Sequence, residues 1–125
     1  MKKIVNSEKA PAPIGPYSQA VMAGDTLYVS GQIPINQATG ELISGSIQEE
    51  THQVMRNLQY ILEEAGLSFD HVVKCSIFVK DMGNFVEINQ VYGEYFNTQA
   101  PARETVEVAR LPKDVNVEIS CIAVR

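Results

Sequence analysis

The segment Ser46–Gly66 carries both the start and the stop signals of an amphipathic helix. Ser46 and Glu49 have the spacing of a capping box, in which the two side chains satisfy free amides at a helix start. Gly66 stands where glycine commonly ends a helix. Between these signals the apolar residues recur at helical spacing: Ile47, Val54, Met55, Leu58, Ile61, Leu62 and Ala65. A helix with one apolar side needs a second layer to cover, and the rest of the chain must supply it.

The segment before the helix predicts a β-hairpin. Tyr17–Met22 and Thr26–Gly31 flank Gly24-Asp25, which suits a two-residue turn with glycine first. Side chains alternate along strands, so the hairpin would have one apolar and one mixed face. The expected register pairs Met22 with Leu27 and Ala20 with Val29, and it leaves Tyr17, Gln19, Tyr28 and Ser30 on the mixed face.

The segments after the helix complete the second layer. Val72–Lys80 is predicted to be a strand with apolar odd positions, and a second amphipathic helix is predicted at roughly Asn84–Phe96. Arg103–Ala109 and Val115–Val124 flank the turn-forming Leu111–Asp114 and are predicted to form a second hairpin. This order predicts an α+β fold in two layers, a mixed sheet covered on one face by two helices. The 125 residues are expected to form a single domain, 1–125.

The second predicted hairpin concentrates polar side chains on one face. If Arg110 and Val115 flank the turn, Glu107 faces Glu118 and Thr105 faces Ser120. Such a face is either simply solvated, as in many antiparallel sheets, or a small-molecule site. In a site, an arginine fork would bind a carboxylate and a glutamate would activate water. The pattern alone leaves both open. The expected polar face carries Arg103, Thr105, Glu107, Glu118 and Ser120, and the face under the helices carries Val106, Val108, Val117, Ile119 and Cys121.

The charge and the absence of targeting segments narrow the classes of partner. Ten Lys and Arg against fifteen Asp and Glu give a net charge of -5, which disfavours non-specific binding to nucleic acid and to anionic membranes. The N-terminus lacks the apolar region of a secretory signal, and no apolar run approaches membrane-spanning length. We therefore expect a cytoplasmic protein with no nucleic-acid or membrane partner.

The remaining reactive side chains do not form a known catalytic pattern. Cys75 and Cys121 fall at apolar strand positions, so reduced core residues are expected. His52 and His71 lack Cys or carboxylate neighbours at metal-ligand spacing, so no metal is expected. The glycine-rich phosphate-binding motifs are also absent, so we expect no cofactor.

Several groups of residues, spread over essentially the whole chain, resemble the YjgF/RidA family. The best-known members of that family are enamine/imine deaminases that hydrolyse 2-iminobutanoate and 2-iminopropanoate. The resemblance implies a homotrimer of chorismate-mutase-like fold, with clefts between subunits to which both chains contribute. The matching residues are Ile14–Ala20, Val29–Pro34, Asn57-Leu58, Asn89, Tyr92, Phe96, Pro101-Ala102-Arg103, Val106, Val108, Leu111-Pro112, Val117-Glu118-Ile119 and Ile122-Ala123.

The resemblance also implies roles for individual residues. Arg103 would hold the substrate carboxylate, and Glu118 would position the hydrolytic water. Thr105 stands where many relatives have cysteine, and its hydroxyl would make a similar polar contact. Glu104 departs from the small residue usual in the family, and by parity it points away from Arg103. The other residues implied to line the site are Tyr17, Ser30, the Gly31 backbone and Asn89.

Three functions follow as hypotheses. The first is a cofactor-free deaminase that converts short 2-imino or enamine acids to 2-keto acids and ammonia. The second is a non-catalytic trimer that binds small carboxylates as a sensor or regulator. The third, raised by the family, is a ribonuclease or translation inhibitor, which the net charge of -5 and the lack of a Lys/Arg cluster beyond Lys2-Lys3 disfavour.

Overall fold

A six-stranded mixed sheet with two α-helices on one face forms the body of the computed structural model, which describes residues 1–125. The strand order is β1-β2-β3-β8-β6-β7, and only β6 and β7 run parallel. The predicted α+β two-layer class is confirmed. The elements are β1 Lys2–Val5, β2 Ala20–Ala23, β3 Thr26–Gln32, β4 Ile35–Asn36, β5 Glu41–Leu42, α1 Ile47–Glu64, β6 Val72–Val79, α2 Phe85–Gly93, β7 Ala102–Glu107 and β8 Val117–Val124, with β4 and β5 forming a separate ribbon.

The core lies between the sheet and α1. Ser46 Oγ accepts a hydrogen bond from the Glu49 amide at 3.1 Å, which caps the helix start as predicted. Gly66 ends the helix with φ +76°, a value at which a side chain is strained. The apolar side of α1 is buried against the inner positions of β3, β6 and β8, and each large side chain there contributes about 1.5–3 kcal/mol by burial. The largest fully buried side chains of this core include Leu27, Met55, Leu58, Ile61, Leu62, Ile77 and Ile119.

The β2–β3 hairpin has the predicted register but a shorter first strand. Ala20 pairs with Val29, and Gly24 turns the chain with φ +60°. The strand begins only at Ala20 because Gln19 is buried and bonds to the preceding loop. Its amide donates to the carbonyl oxygens of Ser7, Ala10 and Pro11. Gln19 therefore lies before the strand and is buried, whereas the prediction placed it within the strand.

A register shift in β6 also changes one predicted face. The pairing with β8 slips between Val72 and Lys74, so Val72 is buried and Val73 is exposed. Cys75 and the later odd positions remain buried as predicted. The alternation of buried and exposed side chains therefore fails only at Val73, which is the extra residue of β6 in its pairing with β8.

The second predicted hairpin does not form. β6 lies between β7 and β8, pairing parallel with β7 and antiparallel with β8. Glu107 therefore does not face Glu118, and Thr105 does not face Ser120. Register partners share a face, so the row Cys121–Cys75–Arg103 puts Arg103 on the helix side of the sheet. The inner positions of β8 are buried as predicted, whereas Val106 is exposed on the opposite side.

The sheet face away from the helices, called here the open face, is uncovered in the single chain. It carries Glu118, Ser120 and Glu104 together with exposed apolar side chains such as Tyr28 and Val106. Cys75 and Cys121 lie on the helix side as buried free thiols, as predicted. α2 ends at Gly93, three residues before the predicted Phe96. Neither α-helix combines the length and apolarity needed to cross a membrane.

Candidate active site

The predicted site residues fall into two clusters on opposite faces of the sheet. The first, the Arg103 cluster, lies on the helix side and comprises Asn89, Tyr92, Arg103 and Thr105. The second, the Glu118 cluster, comprises Tyr17, Ser30, Gly31 and Glu118, with Glu118 on the open face. The prediction that Arg103, Thr105 and Glu107 share a face with Glu118 and Ser120 is wrong. The parallel pairing of β7 with β6 is the physical reason.

Side chains of α2 hold Arg103 in place. Its Nη1 donates to Asn89 Oδ1 at 2.6 Å. The guanidinium carbon lies 4.9 Å from the centroid of the Tyr92 ring and 5.6 Å from that of Phe85. An arginine stacked in this way gains cation–π attraction and keeps its planar fork in one orientation. The guanidinium is thus aimed before any ligand binds.

Arg103 borders a cleft of about 430 Å³. Such a volume falls within the usual range of small-molecule pockets. The buried Thr105 hydroxyl has no hydrogen-bond partner within the chain, whereas the Tyr92 hydroxyl lies against the Cys75 thiol. An unsatisfied buried hydroxyl costs free energy, so the Thr105 hydroxyl, two residues along β7 from Arg103, favours a polar partner there. The lining residues are Asn89, Tyr92, Gly93, Phe96, Ala100, Pro101 and Arg103.

Burial keeps the thiols and the phenol beneath this cleft neutral. It raises the pKa of Cys75 above its ordinary value and raises the pKa of Tyr92 and Cys121 further. A protonated thiol is a poor nucleophile, so the cysteines do not suit covalent catalysis. No group of three or more His, Cys, Asp or Glu side chains is placed to hold a metal ion.

The Glu118 carboxylate packs directly on the Gly31 backbone. A Cβ at Gly31 would stand 2.8 Å from Glu118 Cδ, so only glycine leaves room for the carboxylate. Burial raises the pKa of Glu118 above the 4.5 of an ordinary glutamate. Its register partner on β6 is Phe78, which brings no charge to offset the burial. A desolvated carboxylate of this kind is a stronger base than one in water.

A β-bulge in β3 brings the Gly31 backbone against Glu118. Val29 pairs with Cys121 and Gln32 with Ile119, so Ser30 and Gly31 together oppose one residue of β8. Ser30 is fixed there because its amide donates to Gln19 O at 2.8 Å and its hydroxyl donates to Ser18 O at 2.6 Å. The hydroxyl is thus committed to the fold, and the adjacent Gly31 backbone is what meets Glu118.

Tyr17 stands at the rim of the Glu118 cluster. Its amide donates to Gly15 O at 2.8 Å, which shapes the tight turn before it, and its side chain is 52% exposed. A small cavity of about 50 Å³ lies below the ring, lined in part by Gln19 and Gly31. Tyr17 is therefore free to lie against a ligand that approaches Gly31.

Glu104 lies on the face opposite Arg103. Its carboxylate accepts a hydrogen bond from the Ser76 hydroxyl and pairs with Lys74 Nζ at 3.0 Å. The Ser76 bond and then the Lys74 bond hold the pKa of Glu104 below its ordinary value. The parity argument is confirmed: Glu104 points away from the guanidinium of the same chain.

The clusters of one chain cannot reach one small ligand together. Arg103 on β7 pairs with Cys75 of β6, and Glu118 on β8 pairs with Phe78 of β6, so β6 lies between the two strands. The separation is about 10 Å along the strands and about 10 Å across them, and the side chains leave opposite faces.

Several buried polar residues that support the site were not recognised in the sequence. Gln19 anchors the loop before Tyr17, and Glu50, Gln53 and Asn57 lie on the buried side of α1. A polar residue at helical spacing within an apolar stripe is the signal that could have identified the three on α1. Gln19 lies outside regular structure and gives no such signal.

Known proteins match this chain over nearly its whole length. The family model described as Endoribonuclease L-PSP matches residues 7–125. A RutC family protein of Pyrococcus horikoshii is 52% identical over 98% of this chain and 98% of its own. A protein of Bos taurus named 2-iminobutanoate/2-iminopropanoate deaminase is 45% identical over 100% of this chain and 91% of its own.

Solved structures show the same fold at similar identity. The YjgF gene product of E. coli has a TM-score of 0.94 and 46% identity, covering 98% of both chains. E. coli TdcF with bound serine has a TM-score of 0.93 and 43% identity, also covering 98% of both chains. From the full-length match in sequence and structure, the chain belongs to the YjgF/RidA family, whose family model is described as Endoribonuclease L-PSP.

Proposed function

We propose that the protein is a deaminase that hydrolyses short 2-imino or enamine acids to 2-keto acids and ammonia, with no cofactor. One observation carries the proposal: an arginine fork fixed in a small cleft occurs in the same chain as a desolvated glutamate packed on a glycine. The name of the bovine relative, a 2-iminobutanoate/2-iminopropanoate deaminase, supports this choice of substrate.

Arg103 binds the substrate carboxylate in this proposal. Each charge-assisted hydrogen bond is worth about 1.5–3 kcal/mol, and the planar fork supplies two in parallel. Asn89 keeps the fork oriented, and the unpartnered Thr105 hydroxyl contacts the bound acid. The substrate is thereby held by the end that does not react.

Glu118 directs water at the imine carbon. The ionised carboxylate takes a proton from the water as the water oxygen bonds to the carbon of the protonated imine, and the C=N electron pair moves onto nitrogen to give a neutral amine. The proton then passes from Glu118 to the amine, the C–N bond breaks and ammonia leaves, and the Glu118 carboxylate takes the hydroxyl proton as the C=O bond forms. General acid–base catalysis of this kind supplies about 10²–10⁴-fold. Tyr17 and the Gly31 backbone close the sides of the site.

One site is built by two copies of the chain. Arg103 and Glu118 leave opposite faces of the sheet, so the Arg103 of one copy acts with the Glu118 of a neighbour. Exposed apolar side chains on the open face, such as Tyr28 at 51% and Val106 at 40%, favour a surface that another copy covers. The resemblance to the family supports a homotrimer as that assembly.

Binding without turnover is the second candidate. The observation that favours it is the relative E. coli TdcF, whose structure contains bound serine. A sensor of this kind needs Arg103 but not Glu118. The ribonuclease in the name of the family model has less support, because the net charge is -5 and Lys74 and Lys80 are paired with Glu104 and Asp114.

Imine turnover tests the proposal directly. A threonine dehydratase generates 2-iminobutanoate in situ, and formation of 2-ketobutanoate is followed with wild type, Arg103→Ala, Glu118→Ala and the exposed-arginine control Arg110→Ala. We expect acceleration by wild type and by the control, and none by the other two. If folded wild type gives no acceleration but binds 2-ketobutanoate with an affinity that Glu118→Ala retains, the sensor is correct.

A further inference from the structure

Besides Thr51, three polar side chains interrupt the buried side of α1. Glu50, Gln53 and Asn57 are 6%, 5% and 0% exposed. Their spacing of three and four residues places them along one side of the helix. Buried polar groups need hydrogen-bond partners, and those partners show what the three residues hold.

Both polar atoms of the Asn57 side-chain amide are hydrogen-bonded. Its Nδ2 donates to Ile33 O at 3.1 Å and to Ile35 O at 3.0 Å. Its Oδ1 accepts from Gln53 Nε2 at 2.9 Å, which fixes the direction of the amide. Both amide hydrogens are thereby committed to one short stretch of backbone.

That stretch follows Gly31 directly. The Ile35 amide donates to Ile33 O at 2.8 Å, so the chain makes a tight turn around Pro34. The turn begins two residues after Gly31, with only Gln32 between.

The strand that carries Glu118 is held from the same helix. The Glu50 carboxylate oxygens accept from Asn116 Nδ2 at 3.1 and 3.0 Å, two residues before Glu118. One side of α1 therefore holds both segments whose approach brings Gly31 against the carboxylate.

We propose that Asn57 is a positioning residue that fixes the backbone after β3, so that Gly31 closes one side of the Glu118 carboxylate. The kinetic consequence rests on the proposed hydrolysis, whereas the structural consequence is measurable without turnover. Without the Asn57 amide, the Ile33 and Ile35 carbonyls lose their side-chain donor. The segment then relaxes away from α1, and water reaches Glu118.

The experiment compares Asn57→Leu with the matched control Thr51→Val. Thr51 is also fully buried on α1, but its hydroxyl donates only to Ile47 O of the same helix, at 2.7 Å. The titration of the Glu118 carboxyl is followed by ¹³C NMR in each protein, alongside imine turnover. In Asn57→Leu we expect the pKa of Glu118 to fall toward 4.5. We also expect kcat to fall on the order of 10²-fold with KM little changed. Thr51→Val should change neither.

The outcomes separate this proposal from the proposed function. If wild type lacks turnover but the Glu118 titration moves in Asn57→Leu, the deaminase is wrong and the positioning role stands. If the titration and kcat are both unchanged in a folded Asn57→Leu, the positioning role is wrong. Should that variant not fold, Gln53→Met removes only the bond that orients the amide. A smaller shift in the same direction supports the role, and an unshifted Glu118 titration overturns it.

Discussion

The Arg103 cluster and the Glu118 cluster are held by different means. Arg103 lies on the edge strand β7, and side chains of α2 orient it through a hydrogen bond and two aromatic rings. Glu118 lies on the interior strand β8, and its carboxylate occupies the space that a side chain at residue 31 would fill. The first cluster therefore depends on side-chain chemistry, and the second depends on the path of the backbone.

The two clusters also differ in how their charge depends on pH. In the proposed mechanism the Arg103 cluster binds the carboxylate through a guanidinium, the side chain suited to bidentate carboxylate contacts. Burial raises the pKa of Glu118, so its charge is lost at a higher pH than that of an exposed glutamate. Turnover should consequently fail before binding as the solution is made acidic.

Glu118→Gln should have the largest effect. The amide has the size of the carboxylate but cannot accept a proton from water. We expect kcat to fall by about 10²–10⁴-fold with ligand affinity retained, measured by steady-state turnover and by titration with 2-ketobutanoate. Turnover within tenfold of wild type would remove Glu118 from the chemistry.

Gly31→Ala tests whether space alone holds the Glu118 carboxylate. The new Cβ would displace the carboxylate, and a shift of about 1 Å costs on the order of 10²-fold in kcat. The control is the double variant Gly31→Ala with Glu118→Gln, which should turn over imine no more slowly than Glu118→Gln alone. Additive losses in the two backgrounds would show that Gly31 acts by another route.

Arg103→Lys tests the side-chain dependence of the other cluster. Lysine keeps the charge but lacks the fork and the flat surface that stacks on Tyr92. We expect kcat/KM to fall about 10–100-fold, the equivalent of one charge-assisted hydrogen bond. Arg110→Lys is the matched control. Full activity of Arg103→Lys would contradict a bidentate carboxylate contact.

The pH dependence of kcat should report Glu118. Protonation removes the base, and the raised pKa places this loss above pH 4.5. Below that midpoint kcat should fall about tenfold per pH unit, while binding of 2-ketobutanoate persists. A pH profile flat down to 4.5 would mean that no buried carboxylate acts in the rate-limiting step.

Glu104→Gln should have the smallest effect. The carboxylate lies on the face opposite Arg103 and bonds to Ser76 and Lys74. We expect an unchanged KM for the imine, measured beside wild type at equal protein concentration. A lower KM in this variant would show that Glu104 opposes substrate binding after all.

Local signals in the sequence were sufficient for some elements. Ser46 and Gly66 bound α1, and Gly24 fixes the β2–β3 turn, because capping and turn preferences act over a few residues. The same short range explains why the prediction of a second hairpin was wrong. Lys113 and Asp114 turn the chain with positive φ, but the following strand pairs with β6 instead of β7. Alternation assigns parity within a strand and says nothing of its neighbours.

Candidate residues for the site could be named from the sequence, but their arrangement in space could not. Resemblance named Arg103 and Glu118 as candidates, yet their faces could be assigned only once β7 was paired with β6. The bulge at Ser30-Gly31 was also hidden, because a run of strand-forming residues does not show where an extra one is inserted. Long-range pairing decides both features.

Complementation between two inactive variants tests most directly whether one site uses Arg103 and Glu118 from different copies. Arg103→Ala and Glu118→Ala are co-expressed in equal amounts, and imine turnover by the mixed assembly is compared with that of each variant alone. If neighbouring copies in a closed ring share each site, about a quarter of the sites regain both residues. We therefore expect about a quarter of wild-type activity. A mixed assembly as inactive as its parents would contradict the shared site.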